Sequence, residues 1–298
     1  MSSGRISELG LIQRIGRRVK NAPSVIIGIG DDAAVLEYGR DKYQLFTSDM
    51  LVEGVDFTRR TPAKDIGYKA LACSLSDIAA MGGIPRYALV SLGIPKEKPE
   101  AFIDGFYSGL LKLARRFRVN IVGGDLSRSD RIVADVSLIG EVNKKRLVLR
   151  SGAKVNDILF VSGELGGSIY GRHLRFIPRL KESAYLVNNY KVQAMLDISD
   201  GLSLDLSRLC RASRVGAVVY EELIPVSKEA KGMLEALNMG EDFELLFSLP
   251  LKEARRLIKS GNKIFKAIGE IRPGREGVKI ISRDSKAREL TARGYQHF

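Results

Sequence analysis

Apolar residues recur at helical spacing near the start of the chain. Leu9, Ile12, Ile15 and Val19 mark one face of a helix over about residues 8–19. The β-branched run 25–29 reads as a strand entering a tight loop, Gly30-Asp31-Asp32. Residues 43–46 form a second short strand, followed by Thr47-Ser48-Asp49. Thr61-Pro62 starts a helix, with Thr61 as N-cap and proline at N1. That helix runs through an Ala-rich stretch to Met81 and stops at Gly82-Gly83. A strand at 87–94, a helix at 99–117, a strand at 119–122 ending in Gly-Gly-Asp, and an alternating strand at 132–142 complete an α/β first half.

The second half repeats the mixture without repeating the sequence. Strands are expected at 158–162, 217–220, 243–249, 264–268 and 278–281. Helices are expected at 166–176, 183–195, after Gly201, and at 252–259. The basic, polar stretch 143–150 separates the halves, which sets the domains at residues 1–142 and 143–298.

Composition supports two ordinary domains, since 298 residues with 45% apolar content bury real cores. The formal net charge is +13, which favours anionic ligands. Most Lys and Arg are scattered, as on a solvated surface. Two cysteines, Cys73 and Cys210, form no Cys-x-x-Cys and suit a reducing, cytoplasmic setting. Only two histidines, His173 and His297, are present, which disfavours histidine-based catalysis. No signal peptide and no membrane-spanning apolar run is visible.

Against that positive background, five segments end on a small residue and aspartate. They are Gly30-Asp31-Asp32, Thr47-Ser48-Asp49, Leu75-Ser76-Asp77, Gly123-Gly124-Asp125 and Asp197-Ile198-Ser199-Asp200-Gly201. None contains Lys or Arg, so the carboxylates call for another cation. Magnesium, held by carboxylates and substrate phosphates, fits better than calcium, because no twelve-residue calcium loop is present. Asp77 falls in the last turns of its helix, where the dipole disfavours a negative charge, beside small neighbours Ser74, Ala79 and Ala80. It is a ligand candidate or a solvated helix residue. Gly-Asp pairs are also common turns; their recurrence after apolar strands argues for a shared site. Asp200 is either a ligand or the N-cap of the helix near Gly201. No P-loop, protein-kinase set or nicotinamide-binding fingerprint is present.

Read in order, these segments resemble the thiamine-monophosphate kinase family of the aminoimidazole-ribonucleotide-synthetase-like ATP-binding superfamily. The similarity runs through residues 28–35, 47–55, 68–72, 75–82, 122–125, 150–154, 197–202, 240–245 and 294–298. It implies an α/β (α+β) protein of two domains. The N-terminal domains would pair into a homodimer and carry the ATP site. The implied activity is ATP-dependent conversion of thiamine monophosphate to thiamine diphosphate, by direct in-line transfer and with several magnesium ions. By motif, Asp32, Thr47, Ser48, Asp49, Asp77, Asp125, Asp197 and Asp200 would hold metal. Gly124, Asp125, Arg150 and Ser199 would contact ATP, and Asp56, Glu241 and Tyr295 the substrate. Asp31 takes a supporting role.

Two departures bear on the substrate side. The family's Val-Glu-Gly-Val is followed by His-Phe, where this chain has Asp56-Phe57, and its Gly-Gly-Glu-Asp is Met239-Gly240-Glu241-Asp242. An alternative is a superfamily relative with another phosphate or carboxylate acceptor. Branches that use a terminal cysteine do not fit, since the first cysteine is Cys73 and the C-terminus lacks one. A more distant alternative, a basic nucleic-acid-binding protein, lacks any binding motif. Neither nucleic acid nor membrane is an expected partner.

Overall fold

The computed structural model describes residues 8–297. Phe298, the last residue of the terminal motif, lies outside them. The first half comprises α1 (Glu8–Gly16), β1 (Val25–Ile27), β2 (Ala34–Tyr38), β3 (Lys42–Val52), α2 (Ala63–Ala80), β4 (Ile84–Ile94), α3 (Glu100–Phe117), β5 (Asn120–Arg128) and β6 (Val133–Asn143). The second comprises β7 (Ile158–Ser162), α4 (Leu180–Asn189), β8 (Ala194–Ile198), α5 (Leu202–Ser213), β9 (Val215–Tyr220) and α6 (Met233–Asn238). It ends with β10 (Glu244–Leu249), α7 (Leu251–Lys259), β11 (Phe265–Pro273), β12 (Val278–Ile281) and β13 (Ala287–Glu289).

Each half builds its own sheet. The first runs β1-β2-β3-β6-β4-β5, and the second β13-β12-β9-β11-β7-β10-β8. Pairing is antiparallel except for β4 with β5 and β12 with β9. Helix α2 covers the inner face of the first sheet. It is buried almost all round, which its Ala-rich sequence permits by allowing close approach. Its neighbour α3 packs so tightly that a Cβ at Gly109 would meet the Lys64 carbonyl oxygen at 1.7 Å. The halves also share core: Phe176 and Phe243 of the second stack with ring centroids 4.0 Å apart and join the apolar cluster of the first.

Several expected boundaries move, each for a physical reason. Strand β3 does not stop at Phe46; Thr47, Ser48 and Asp49 continue its ladder with β6, paired to Leu138, Ser137 and Val136. Likewise β5 runs through Gly-Gly-Asp, and the glycines accompany a register shift against β4 instead of a chain turn. The expected helix at 166–176 is two 3-10 turns, Ser168–Tyr170 and Arg172–Leu174, because Gly166, Gly167 and Gly171 all have positive φ. The expected helix at 183–195 is α4 followed by β8. Every residue of β8 is buried, so it lacks the alternation that marks a half-exposed strand. Pro62, not Thr61, is the N-cap of α2, and α1 ends at Gly16 instead of near Val19.

Candidate active site

Alternation along β3 sends Leu45, Thr47 and Leu51 inward to α2, with Asp49 on the same face, and leaves Phe46, Ser48 and Met50 outward. The last turn of α2 brings Asp77 to that inner face, where the Thr47 hydroxyl donates to its Oδ2. Asp32 arrives from the loop after β1, where Gly30 adopts φ +131°. Asp197 arrives from β8 of the second half, and Ser76 of α2 donates to its Oδ2 at 2.5 Å. One carboxylate oxygen from each of Asp32, Asp77 and Asp197 lies within 4.8 Å of the others. Asp49 borders them, close enough for its charge to act on Asp77.

So much negative charge away from water is unfavourable in the bare protein. Burial, then the charges of Asp49, Asp197 and Asp32, pushes Asp77 well above the usual carboxylate range. Burial and Asp32 do the same to Asp197. Burial lifts Asp49 to about 6. Asp32 Oδ2 and Asp49 Oδ2 are buried with no hydrogen-bond partner among the described residues. These oxygens are the donor set a hard divalent cation takes, so the residues fit such an ion.

A cation is nevertheless close by, contrary to the inference drawn from the isolated segments. Arg150, distant in sequence, reaches Asp32 Oδ1 with Nη2 at 2.6 Å and Nε at 3.1 Å. Its main-chain N–H lies 3.2 Å from the Asp31 carboxylate, which also accepts from the Asp32 N–H. Burial and the neighbouring Asp32 charge push Asp31 up to about 7. Asp200 likewise meets Arg208, which also binds Asp205. Asp200 is not the cap of α5. Gly201 is the N-cap residue, and Asp205 reaches back to accept from the N–H groups of Asp200 and Gly201 at 3.0 and 3.1 Å.

A cavity of about 920 Å³ joins these groups. Its polar end holds the four carboxylates, Arg150, Ser199 and Asp200. Its apolar end is bounded by Leu9 and Ile12 of α1, together with Ile29, Leu36 and Phe46. Not every expected residue reaches it from within one chain. Ser48 does border it, with its hydroxyl bonded to Asp135. Gly124 and Asp125 lie on edge strand β5, three strands from β3, or roughly 14 Å across the sheet. Both are exposed there. The backbone at Gly124 approaches β4 so closely that a Cβ would meet the Val90 carbonyl oxygen at 1.8 Å.

The residues expected at the substrate form a second group. The Glu241 N–H donates to the Ser199 carbonyl at 2.6 Å, and the Tyr295 N–H to the Asp200 carbonyl at 3.0 Å. Asp56 Oδ2 accepts from the Val52 N–H at 2.7 Å. Between Asp56 and Glu241 sits a residue given no role from sequence, Lys69, with a fully buried side chain. Its Nζ lies 2.6 and 2.8 Å from the Glu241 carboxylate oxygens and 2.8 Å from the Asp56 carbonyl. The available signal was that Lys69 is the sole cation between Tyr68 and Met81.

Comparison with known proteins fits this geometry. Residues 30–142 match the family of AIR synthase related proteins, N-terminal domain, and residues 153–281 match its C-terminal domain. The thiamine-monophosphate kinase of Rhodopirellula baltica is 42% identical over 255 residues, covering 80% of each chain. That of Bacillus subtilis is 35% identical, covering 98% of this chain and all of its own. A solved structure described as AaThiL complexed with AMPPCP and TMP superposes with a TM-score of 0.87 at 32% identity, covering 100% of this chain and 99% of that one. Structures of the hydrogenase maturation protein HypE, near 19% identity and with a TM-score of 0.74, share the fold.

Proposed function

This chain belongs to the AIR-synthase-related family, among its thiamine-monophosphate kinases, and on that premise we propose that it phosphorylates thiamine monophosphate to thiamine diphosphate with ATP. The observation that carries the reading is the meeting of Asp32, Asp77 and Asp197, from both halves, beside Arg150 in one large cavity.

Asp32, Thr47, Ser48, Asp49, Asp77, Asp197 and Asp200 would hold magnesium. When bound, magnesium supplies charge neutralisation for the transferring phosphoryl group. Arg150 and Ser199 bind the nucleotide phosphates, and the apolar end of the cavity takes the base. The acceptor is an oxygen of the substrate's own phosphate, already anionic. In-line transfer therefore needs positioning and no general base. Asp56, Glu241 and Tyr295 hold the thiamine part, and the two carboxylates complement its positive ring. A cytoplasmic setting suits its two free, buried cysteines.

The protein acts as a homodimer in this reading. Phe46, Met50, Tyr87, Leu89, Val122 and Leu126 expose apolar side chains on the first sheet, an unusual surface for a monomer. A second copy on that face brings Gly124 and Asp125 to the neighbouring nucleotide site.

The test is incubation of purified protein with ATP, magnesium and thiamine monophosphate, with the product identified by mass. Thiamine diphosphate is expected, and thiamine offered alone should not be phosphorylated. Absence of thiamine diphosphate, or equal use of thiamine, overturns the reading.

A further inference from the structure

Lys69 is fully buried, so its ammonium cannot touch a ligand in the cavity. It is nonetheless saturated. An ammonium has three donors, and three acceptors lie within hydrogen-bond distance: both oxygens of Glu241 and the carbonyl of Asp56. These acceptors come from different halves of the molecule. Asp56 follows β3, whereas Glu241 lies in the loop between α6 and β10.

That loop is already constrained along its backbone. Glu241 has φ +58° and Phe243 φ +50°, conformations uncommon for residues with a Cβ. The N–H groups of both are bound to the end of β8 and the residue after it, through the Ile198 and Ser199 carbonyls. Asp242 accepts from the Gly166 N–H. The end of the Glu241 side chain remains to be oriented, and Lys69 orients it. About a quarter of the Glu241 side chain stays exposed, leaving a face for a ligand.

Resting on the kinase reading, we infer that Lys69 is a positioning residue for the substrate's cationic ring, fixing the spacing of Glu241 and Asp56 across the two domains. The two carboxylates outnumber the single ammonium, so the group keeps a net negative charge at the exposed part of Glu241. A cationic heterocycle is the ligand chemistry this favours. Arginine is no substitute, because its planar fork cannot present three tetrahedral donors in a sealed site.

The experiment compares wild type, Lys69→Met and the double variant Lys69→Met/Glu241→Gln, measuring KM for each substrate and the melting temperature. Lys69→Met should raise KM for thiamine monophosphate about tenfold or more and leave KM for ATP within about twofold. It should also melt lower, because Glu241 is left buried without its partner. The double variant removes that unpaired charge and should regain most of the melting temperature while KM for thiamine monophosphate stays raised. If Lys69→Met does not fold, Lys69→Gln takes its place with the same split in KM expected, because Glu241→Gln by itself alters the substrate site. The inference fails if either variant has wild-type KM for thiamine monophosphate, or if both KM values rise together. If wild type makes no thiamine diphosphate, the kinase reading fails and this inference falls with it. If wild type is active and the variants are unchanged, only the inference falls.

Discussion

Ser76 of α2 donates its hydroxyl to Asp197 of β8, a buried bond between the two halves made at the carboxylate cluster itself. The same helix turn thus carries Asp77 and the donor that holds Asp197.

Removing that donor should loosen the junction. Ser76→Ala leaves one oxygen of a buried carboxylate without its partner, at a cost of about 1–3 kcal/mol. Urea unfolding without metal is the measurement, and magnesium should reduce the loss. A metal-free stability equal to wild type would show that the bond holds nothing together.

Asp77→Asn should separate stability from activity. Asp77 is disfavoured by burial and by the charges of Asp49, Asp197 and Asp32. A neutral amide relieves that repulsion, so the metal-free variant should melt no lower than wild type. Turnover should fall roughly a hundredfold or more, because charge facing the transferring phosphoryl group is lost. Near-normal turnover would remove Asp77 from the cation-holding set.

The exposed face of the first sheet can be tested by charge. Leu89→Glu places a carboxylate among apolar neighbours and should abolish the proposed dimer in sedimentation, with turnover down about tenfold or more. An unchanged dimer would move the interface elsewhere.

The cysteines should be silent in the folded enzyme. Burial pushes the Cys210 thiol up to about 12, and burial with nearby carboxylates pushes Cys73 higher than a free thiol. At pH 8 neither should react with a thiol reagent until the protein unfolds. Below the ordinary thiol value both folded and unfolded states keep their protons, so these groups leave stability unchanged. As pH rises from about 9 toward 12 the unfolded state alone releases them, and stability falls. Rapid labelling at pH 8 would contradict the burial.

The parts of this site visible in the sequence are those written into short local patterns. Asp32 and Asp77 each stand where a strand loop or a helix end exposes a small-residue neighbourhood. Asp197 was legible as part of a segment, although β8 itself was hidden because burial on both faces erases its alternation. The position of Asp125 could not be read, since its distance from β3 depends on the strand order β3-β6-β4-β5. Arg150 and Arg208 show the limit of judging charge balance segment by segment: Asp32 neighbours Arg150 only in space, and Arg208 lies just beyond the segment that holds Asp200. Lys69 was hidden for a related reason. An isolated lysine in a helix ordinarily lies on a solvated face, and the carboxylate that pairs with it, Glu241, comes from a loop far along the chain.

Arg150 gives the bare site a placeholder. Its guanidinium occupies Asp32 Oδ1 while its main-chain N–H rests on the Asp31 carboxylate. Phosphates drawn to that guanidinium compete with Asp32 for it, and a carboxylate released in this way becomes available to a positive ion. Anything that lifts Arg150 off Asp32 therefore strengthens cation binding, and a bound cation in turn frees Arg150 by the same factor. In the proposed reaction, that one side chain would make nucleotide and cation favour each other's arrival.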